Sequence, residues 1–286
     1  MIIDSHTHAW RRWPYAPPVP DFESRGRVEQ LLWEMDRHGV DKAVLICANV
    51  EHNPDDNDYV AECVARYPDR LVQFADVDCM WSPSYHTPGA AERLREAAQK
   101  YTLKGFTHYV KDDTDWFDSA EGRSFFQVAA DLGLIASLAL SPRWQPALRR
   151  LARHYPSVPF LCHHMAGAKV GQEKELQEIL ESAQVPNIYI KLSGFHYVSR
   201  VGWDYPCTDA QPIVRALYES YGPTRLCWGS DYPVVRFYMT YQQALMALCR
   251  ALTAFRRHCT FVPEEDKALI LGGNLERLLA GASAAS

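Results

Sequence analysis

Short apolar or β-branched runs recur along the chain at residues 2–6, 42–50, 71–77, 103–110, 134–140, 159–164, 188–194 and 226–231. Between them, apolar residues return at helical spacing over 27–38, 55–66, 90–100, 122–132, 144–154, 173–183 and 209–221. Strand and helix therefore alternate. Strands that read as nearly continuous apolar runs are those covered by helices on the sheet's outer face. Eight such units in 286 residues predict one α/β domain, a (β/α)8 TIM barrel. Two further helices, 241–257 and 263–279, follow the eighth run. Residues 1–280 are expected to form the barrel, with 281–286 a disordered Ala/Ser tail.

A barrel collects its chemistry at the carboxyl ends of its strands, and the polar residues of this chain fall there. The first run ends in Asp4-Ser5-His6-Thr7-His8, with two imidazoles at i and i+2, on one side of an extended chain. Thr107, His108 and Tyr109 end the fourth run, His163 and His164 the sixth, and Asp231 the eighth; Lys191, Ser193 and His196 sit at or just past the seventh. His6, His8, a histidine of the sixth strand and Asp231 make a ligand set suited to one Zn²⁺ or a similar ion. Such an ion brings the pKa of its water from 15.7 to about 7, and Asp231 would be the proton acceptor. His163 and His164 are adjacent, so an extended strand would turn only one of them to the centre.

Composition narrows the partners. With 47% apolar and 23% charged residues and a net charge of -5, the chain has no clustered basic surface for nucleic acid. It also lacks a run near the roughly 20 apolar residues of a membrane span. A small-molecule substrate is expected. Eight scattered cysteines with no Cys-x-x-Cys pair read as reduced core residues of a cytoplasmic protein. A homo-oligomer is left open. Arg143, Arg200 and Arg236, after the fifth, seventh and eighth strands, are candidates for a basic clamp on substrate, with His108 and Lys191 as further substrate contacts. The aromatics Trp10, Trp13 and Tyr15 and the loop 81–86 could wall a pocket.

Several segments resemble the amidohydrolase-related family: Ile3-Asp4-Ser5-His6-Thr7-His8, Phe160-Leu161-Cys162-His163-His164-Met165-Ala166-Gly167, Lys191-Leu192-Ser193-Gly194, Trp228-Gly229-Ser230-Asp231-Tyr232-Pro233 and Gly273-Asn274-Leu275-Glu276-Arg277-Leu278-Leu279. The segment Asp56-Asn57-Asp58-Tyr59-Val60 and the Lys-x-Ser of the seventh strand look most like its sugar-lactonase and 2-pyrone-4,6-dicarboxylate lactonase group. That resemblance implies a TIM barrel with His6, His8, His164 and Asp231 on one divalent metal, zinc or alternatively manganese, a metal-free site also occurring in the family. It implies Asp231 as general base, with His164 and His196 as further catalytic candidates and His163 in support. The implied activity is hydrolysis of a small cyclic ester by an activated water. The alternative is metal-dependent non-oxidative decarboxylation of a hydroxylated aromatic or related acid.

Overall fold

The computed structural model describes residues 1–11, 26–111, 114–248 and 263–282. All eight expected strands form: β1 Ile3–Thr7, β2 Lys42–Ile46, β3 Leu71–Asp76, β4 Gly105–Tyr109, β5 Ile135–Ala139, β6 Phe160–Cys162, β7 Ile188–Leu192 and β8 Leu226–Trp228. They make one sheet in the order β1 to β8, every neighbouring pair parallel. A parallel bridge between Thr7 and Tyr232 brings the last strand back to the first. The result is a nearly closed TIM barrel, as the alternating pattern predicts.

The helices Val28–His38, Asp56–Arg66, Ala90–Tyr101, Ala120–Asp131, Gln145–His154, Glu173–Glu181 and Gln211–Tyr221 cover the sheet. Their ends follow local chemistry. The Ser119 hydroxyl accepts from the Gly122 backbone N–H at 3.0 Å and starts one helix, and Gly39, at φ 66, ends another after Arg37 and His38. Residues 241–248 are helical, and 249–257 of that expected helix lie outside the described residues. The expected helix at 263–279 is instead a short helix Glu264–Ala268, a π-turn Leu269–Gly273 and a helix Asn274–Gly281. The wide turn lets Gly272 lie against β1, where a Cβ would stand 2.7 Å from the Met1 carbonyl oxygen. Gly281 closes the last helix and Ala282 is buried; the rest of the expected tail, 283–286, lies outside the described residues.

Alternation along each strand sorts side chains into two apolar clusters. Ala43, Leu45, Leu71, Ala75, Phe106, Leu138 and Ile190 pack outward with the helices. Ile3, Val44, Ile46, Phe74, Ile135, Leu161 and Cys227 point inward, where Leu275 and Leu278 of the last helix join them and plug the amino end of the barrel. Further along the same inward faces, two residues on, the interior turns polar at Ser137, His163 and Lys191, all buried.

In β1 the alternation is interrupted. Asp4 pairs with Ala43 and Thr7 with Leu45, so three steps on β1 match two on β2. This bulge inserts one residue and inverts the phase. Without it, a strand that points Ile3 inward would point His6 and His8 out to the helices. With it, both histidines face the barrel axis.

Candidate active site

Four imidazoles converge on one carboxylate. His6, His8 and His164 place Nε2 at 3.5, 3.7 and 3.8 Å from Asp231 Oδ1, and His196 Nε2 stands 3.8 Å from Asp231 Oδ2. The loop after β8 that carries Asp231 is fixed from below by Asp4. Asp4 Oδ1 accepts from the backbone N–H groups of His6 at 3.1 Å and Ser230 at 3.0 Å, and Oδ2 accepts from the Tyr241 hydroxyl at 3.1 Å. Asp231 itself is held at φ 62, in the left-handed region, by its N–H to the His6 carbonyl at 2.9 Å.

Both sixth-strand histidines reach the centre, which an extended chain would not allow. At His164 the chain enters the left-handed region and stays there through Met165 and Ala166, at φ 45, 52 and 57. This turn swings His164 back, so that the rings of His163 and His164 lie 4.4 and 4.5 Å from that of His6. Gly194 makes room: at φ 65, a Cβ there would meet His164 Nδ1 at 2.7 Å.

Partners on the far side of each ring fix which nitrogen faces Asp231. His8 Nδ1 donates to the Ile46 carbonyl, leaving Nε2 with its lone pair toward the carboxylate. His164 Nδ1 meets Ser193 Oγ at 3.0 Å. His6 Nδ1 lies 3.1 Å from Lys191 Nζ, which donates to Ser137 Oγ at 2.8 Å, and that hydroxyl meets His163 Nε2 at 2.7 Å. Burial pushes the Lys191 amine down to about 7. A neutral amine can accept from His6 Nδ1–H and leave Nε2 open, whereas an ammonium would donate into Nδ1 and put the ring proton on Nε2.

Burial, with Lys191 adding to it, pushes His6 and His163 well below the ordinary imidazole value. Burial also takes His164 down to about 4 against the pull of Asp231. Burial alone would raise Asp231, but His164, His8 and His196 around it hold it below the usual carboxylate range. At neutral pH His6, His163 and His164 are thus neutral imidazoles beside an ionised Asp231 carboxylate. The donor atoms of His6, His8 and Asp231 all lie within 4.8 Å of one another. His6 Nε2 and Asp231 Oδ2 are buried with no hydrogen-bonding partner among the described residues. Tetrahedral bonds of about 2.0–2.1 Å would set ligand atoms roughly 3.4 Å apart, close to the spacing seen. The donor set and the orphaned atoms fit a divalent cation.

Above the cluster lies a cavity of about 270 Å³ with His8, His164 and Asp231 at its floor and Trp10, Trp81, Tyr109 and Tyr197 among its walls. Trp10 and Trp81 stand where the sequence suggests a wall; Trp13 and Tyr15 lie outside the described residues. The expected basic clamp is not part of it. Arg143 and Arg200 are exposed, Arg236 is half-buried, and none of the three lines the cavity. Arg200 instead reaches the Val170 carbonyl with Nε at 3.3 Å, and its backbone N–H meets Asp209 at 2.9 Å. His108 also departs from expectation. It shares the outward phase of Phe106, stacks on Trp116 at 5.5 Å and bonds the Val77 carbonyl through Nδ1 at 3.1 Å. Lys191 lies beneath His6 rather than in the cavity wall. His196 is buried, with Tyr238 stacked on it at 4.1 Å. Sequence reasoning missed Asp4 and Ser137; a lone serine in the apolar run Ile135-Ala136-Ser137-Leu138, at inward phase, is the signal that marks the second.

The sequence matches the amidohydrolase family over residues 3–280. The chain belongs to that family. This amidohydrolase is 27% identical to L-fucono-1,5-lactonase of Burkholderia ambifaria, over 95% of its own length and 93% of the relative's. In fold it is similar to an amidohydrolase from Burkholderia multivorans with zinc bound, at TM-score 0.75 and 20% identity over 98% and 99% of the two chains. It is equally similar to a probable 2-pyrone-4,6-dicarboxylic acid hydrolase from Acinetobacter baumannii, with the same TM-score of 0.75, 20% identity and 98% and 99% coverage. Among the described residues of this amidohydrolase, no helix is long and apolar enough to cross a membrane.

Proposed function

We propose that the protein is a lactonase, opening a small cyclic ester by attack of water on its carbonyl at the carboxyl-end rim of the barrel. The observation that carries this reading is the convergence of His6, His8 and His164 on Asp231 at the floor of an aromatic-walled cavity. The likeness to L-fucono-1,5-lactonase supports the cyclic-ester class. His6, His8, His164 and Asp231 would hold one divalent ion, zinc or manganese. When bound, that ion supplies a Lewis acid that polarises a carbonyl and makes water a better nucleophile at neutral pH. Asp231, ionised and buried, takes the proton of the attacking water as its oxygen bonds the carbonyl carbon. The ring C–O bond then breaks, and the departing alkoxide receives that proton from Asp231. His196, facing the second oxygen of Asp231, keeps the carboxylate aimed at the cavity. His8 is locked in its tautomer by the Ile46 carbonyl, and Lys191 with Ser137 positions His6 from beneath.

The test pairs elemental analysis with product analysis. Wild type is expected to carry about one equivalent of zinc or manganese, lost in His6→Ala, and to convert a lactone to a product heavier by one water. Release of carbon dioxide from a hydroxylated aromatic acid, with lactones untouched, would replace this reading by decarboxylation.

A further inference from the structure

The floor and the walls of the cavity differ in chemistry. The floor holds His8, His164 and Asp231, whereas the walls are Trp10, Trp81, Tyr109 and Tyr197 with Ala48, Val50 and Val234 between them, and no Lys or Arg lines the cavity among the described residues. Indole and phenol faces carry negative electrostatic potential, so they take the C–H face of a ring and disfavour an anion.

Two of these walls are built in place. Trp10 stacks on His8 with ring centres 4.8 Å apart and planes 8° from parallel, which sets one indole beside the reacting end. Trp81 stands at the mouth, half-buried, and its Nε1–H donates to Asp76 Oδ2 at 2.6 Å, short for an N–H···O bond and assisted by the carboxylate's charge. Asp76 ends β3, is buried, and takes a second bond from the Asn49 N–H at 2.7 Å. The ring of Trp81 also leans on Tyr109 at 4.7 Å. An exposed loop tryptophan would be free to swing, but this one is tied to a strand end.

Resting on the hydrolase reading above, we propose that Trp81, positioned by Asp76, is the residue that selects substrate, and that it selects an uncharged single ring over a ring bearing a carboxylate. The volume of about 270 Å³ is at the small end of ligand pockets and suits one ring rather than two. A carboxylate turned from the floor toward these walls would lose its water against indole and phenol faces, with no Lys or Arg among the described lining residues to meet it.

The experiment separates binding from chemistry. Calorimetry on the protein as purified compares two six-membered lactam rings, one carrying a carboxylate beside the ring nitrogen and the other the isosteric carboxamide. The matching lactones are followed for ring opening. The carboxamide is expected to bind at least about tenfold more tightly than the carboxylate. Trp81→Ala is expected to raise KM for the carboxamide lactone about tenfold with kcat changed less than about threefold. Asp76→Leu should repeat that loss and Asp76→Asn, which keeps an acceptor for the indole, should restore it, with melting curves checking that each variant is folded. Equal or tighter binding of the carboxylate, no binding of either ring, or unchanged affinities in Trp81→Ala would each overturn the proposal. Binding of the carboxamide without opening of its lactone would overturn the hydrolase reading and leave this one standing.

Discussion

Gly229 shows how tightly single residues are set around the site. A Cβ there would stand 2.7 Å from His6 Cβ and 3.0 Å from the His6 backbone nitrogen, so even a methyl group must push β1 away from β8. Gly229→Ala is expected to cost about 1–3 kcal/mol of stability and to weaken binding of zinc, read by melting curves and by zinc calorimetry. An unchanged melting temperature with wild-type zinc affinity would show that the seam yields without strain. Asp231→Asn keeps the shape but removes the proton acceptor. It should lower kcat by about 10²–10⁴-fold while leaving far-ultraviolet dichroism intact, and near-wild-type turnover would move the base elsewhere. At this scale the sequence is informative where chemistry and strand phase coincide, as at His6, His8 and Asp231. It misleads where they part. His108 is a histidine at a strand end like the others, but its phase turns it to Trp116 and Phe125 in the helix layer. The arginines failed for a different reason: loop side chains are aimed by loop geometry, which no periodicity encodes.

The strands and helices were legible because their apolar periods are long and distinct, and all eight strands stand where the runs fall. The bulge in β1 was not legible. Ile3-Asp4-Ser5-His6-Thr7-His8 offers polar residues on both phases, so the sequence alone does not say that the alternation slips between Asp4 and Thr7. The helix Asp56–Arg66 carries a second feature that no pattern announces. Its first residue, Asp56, is buried, with Oδ2 accepting from the Ala48 N–H at 2.8 Å and Oδ1 without a hydrogen-bonding partner among the described residues. Burial raises its pKa well above the ordinary carboxylate value, and Asp76 nearby adds to the rise. The folded chain therefore keeps a proton that the unfolded chain gives up at about pH 4, and stability falls as pH rises from there toward the folded pKa. Asp56→Asn carries no such charge. Urea unfolding at about pH 5 and about pH 8 should show the variant gaining on wild type as pH rises; parallel curves would mean that Asp56 is ionised in the fold.

For the whole molecule, the seam between β1 and β8 ties architecture to chemistry. The other seven strand pairs share three or more paired positions, but β1 is joined to the β8 side by the one bridge of Thr7 with Tyr232, just past the end of β8. The His8 N–H to Tyr232 carbonyl bond at 2.6 Å and the Asp231 N–H to His6 carbonyl bond at 2.9 Å supplement it. The imidazoles of His6 and His8 come from one side of this seam and the carboxylate of Asp231 from the other. A cation held between them would therefore fasten the barrel at its least-paired joint, and its binding free energy would count toward folding because the unfolded chain has no such site. At a free ion concentration 100 times the dissociation constant, that linkage amounts to about 2.7 kcal/mol, or roughly 5–10 °C in melting temperature for a chain of this size. Chelation should lower the melting temperature by that order. It should also speed amide exchange at His8 and Asp231, whose N–H groups cross the seam, before it affects the interior pairs β3 to β6. Protein shown by elemental analysis to have lost its ion, yet melting at the same temperature with the same exchange at His8 and Asp231, would separate the cation from the closure of the barrel.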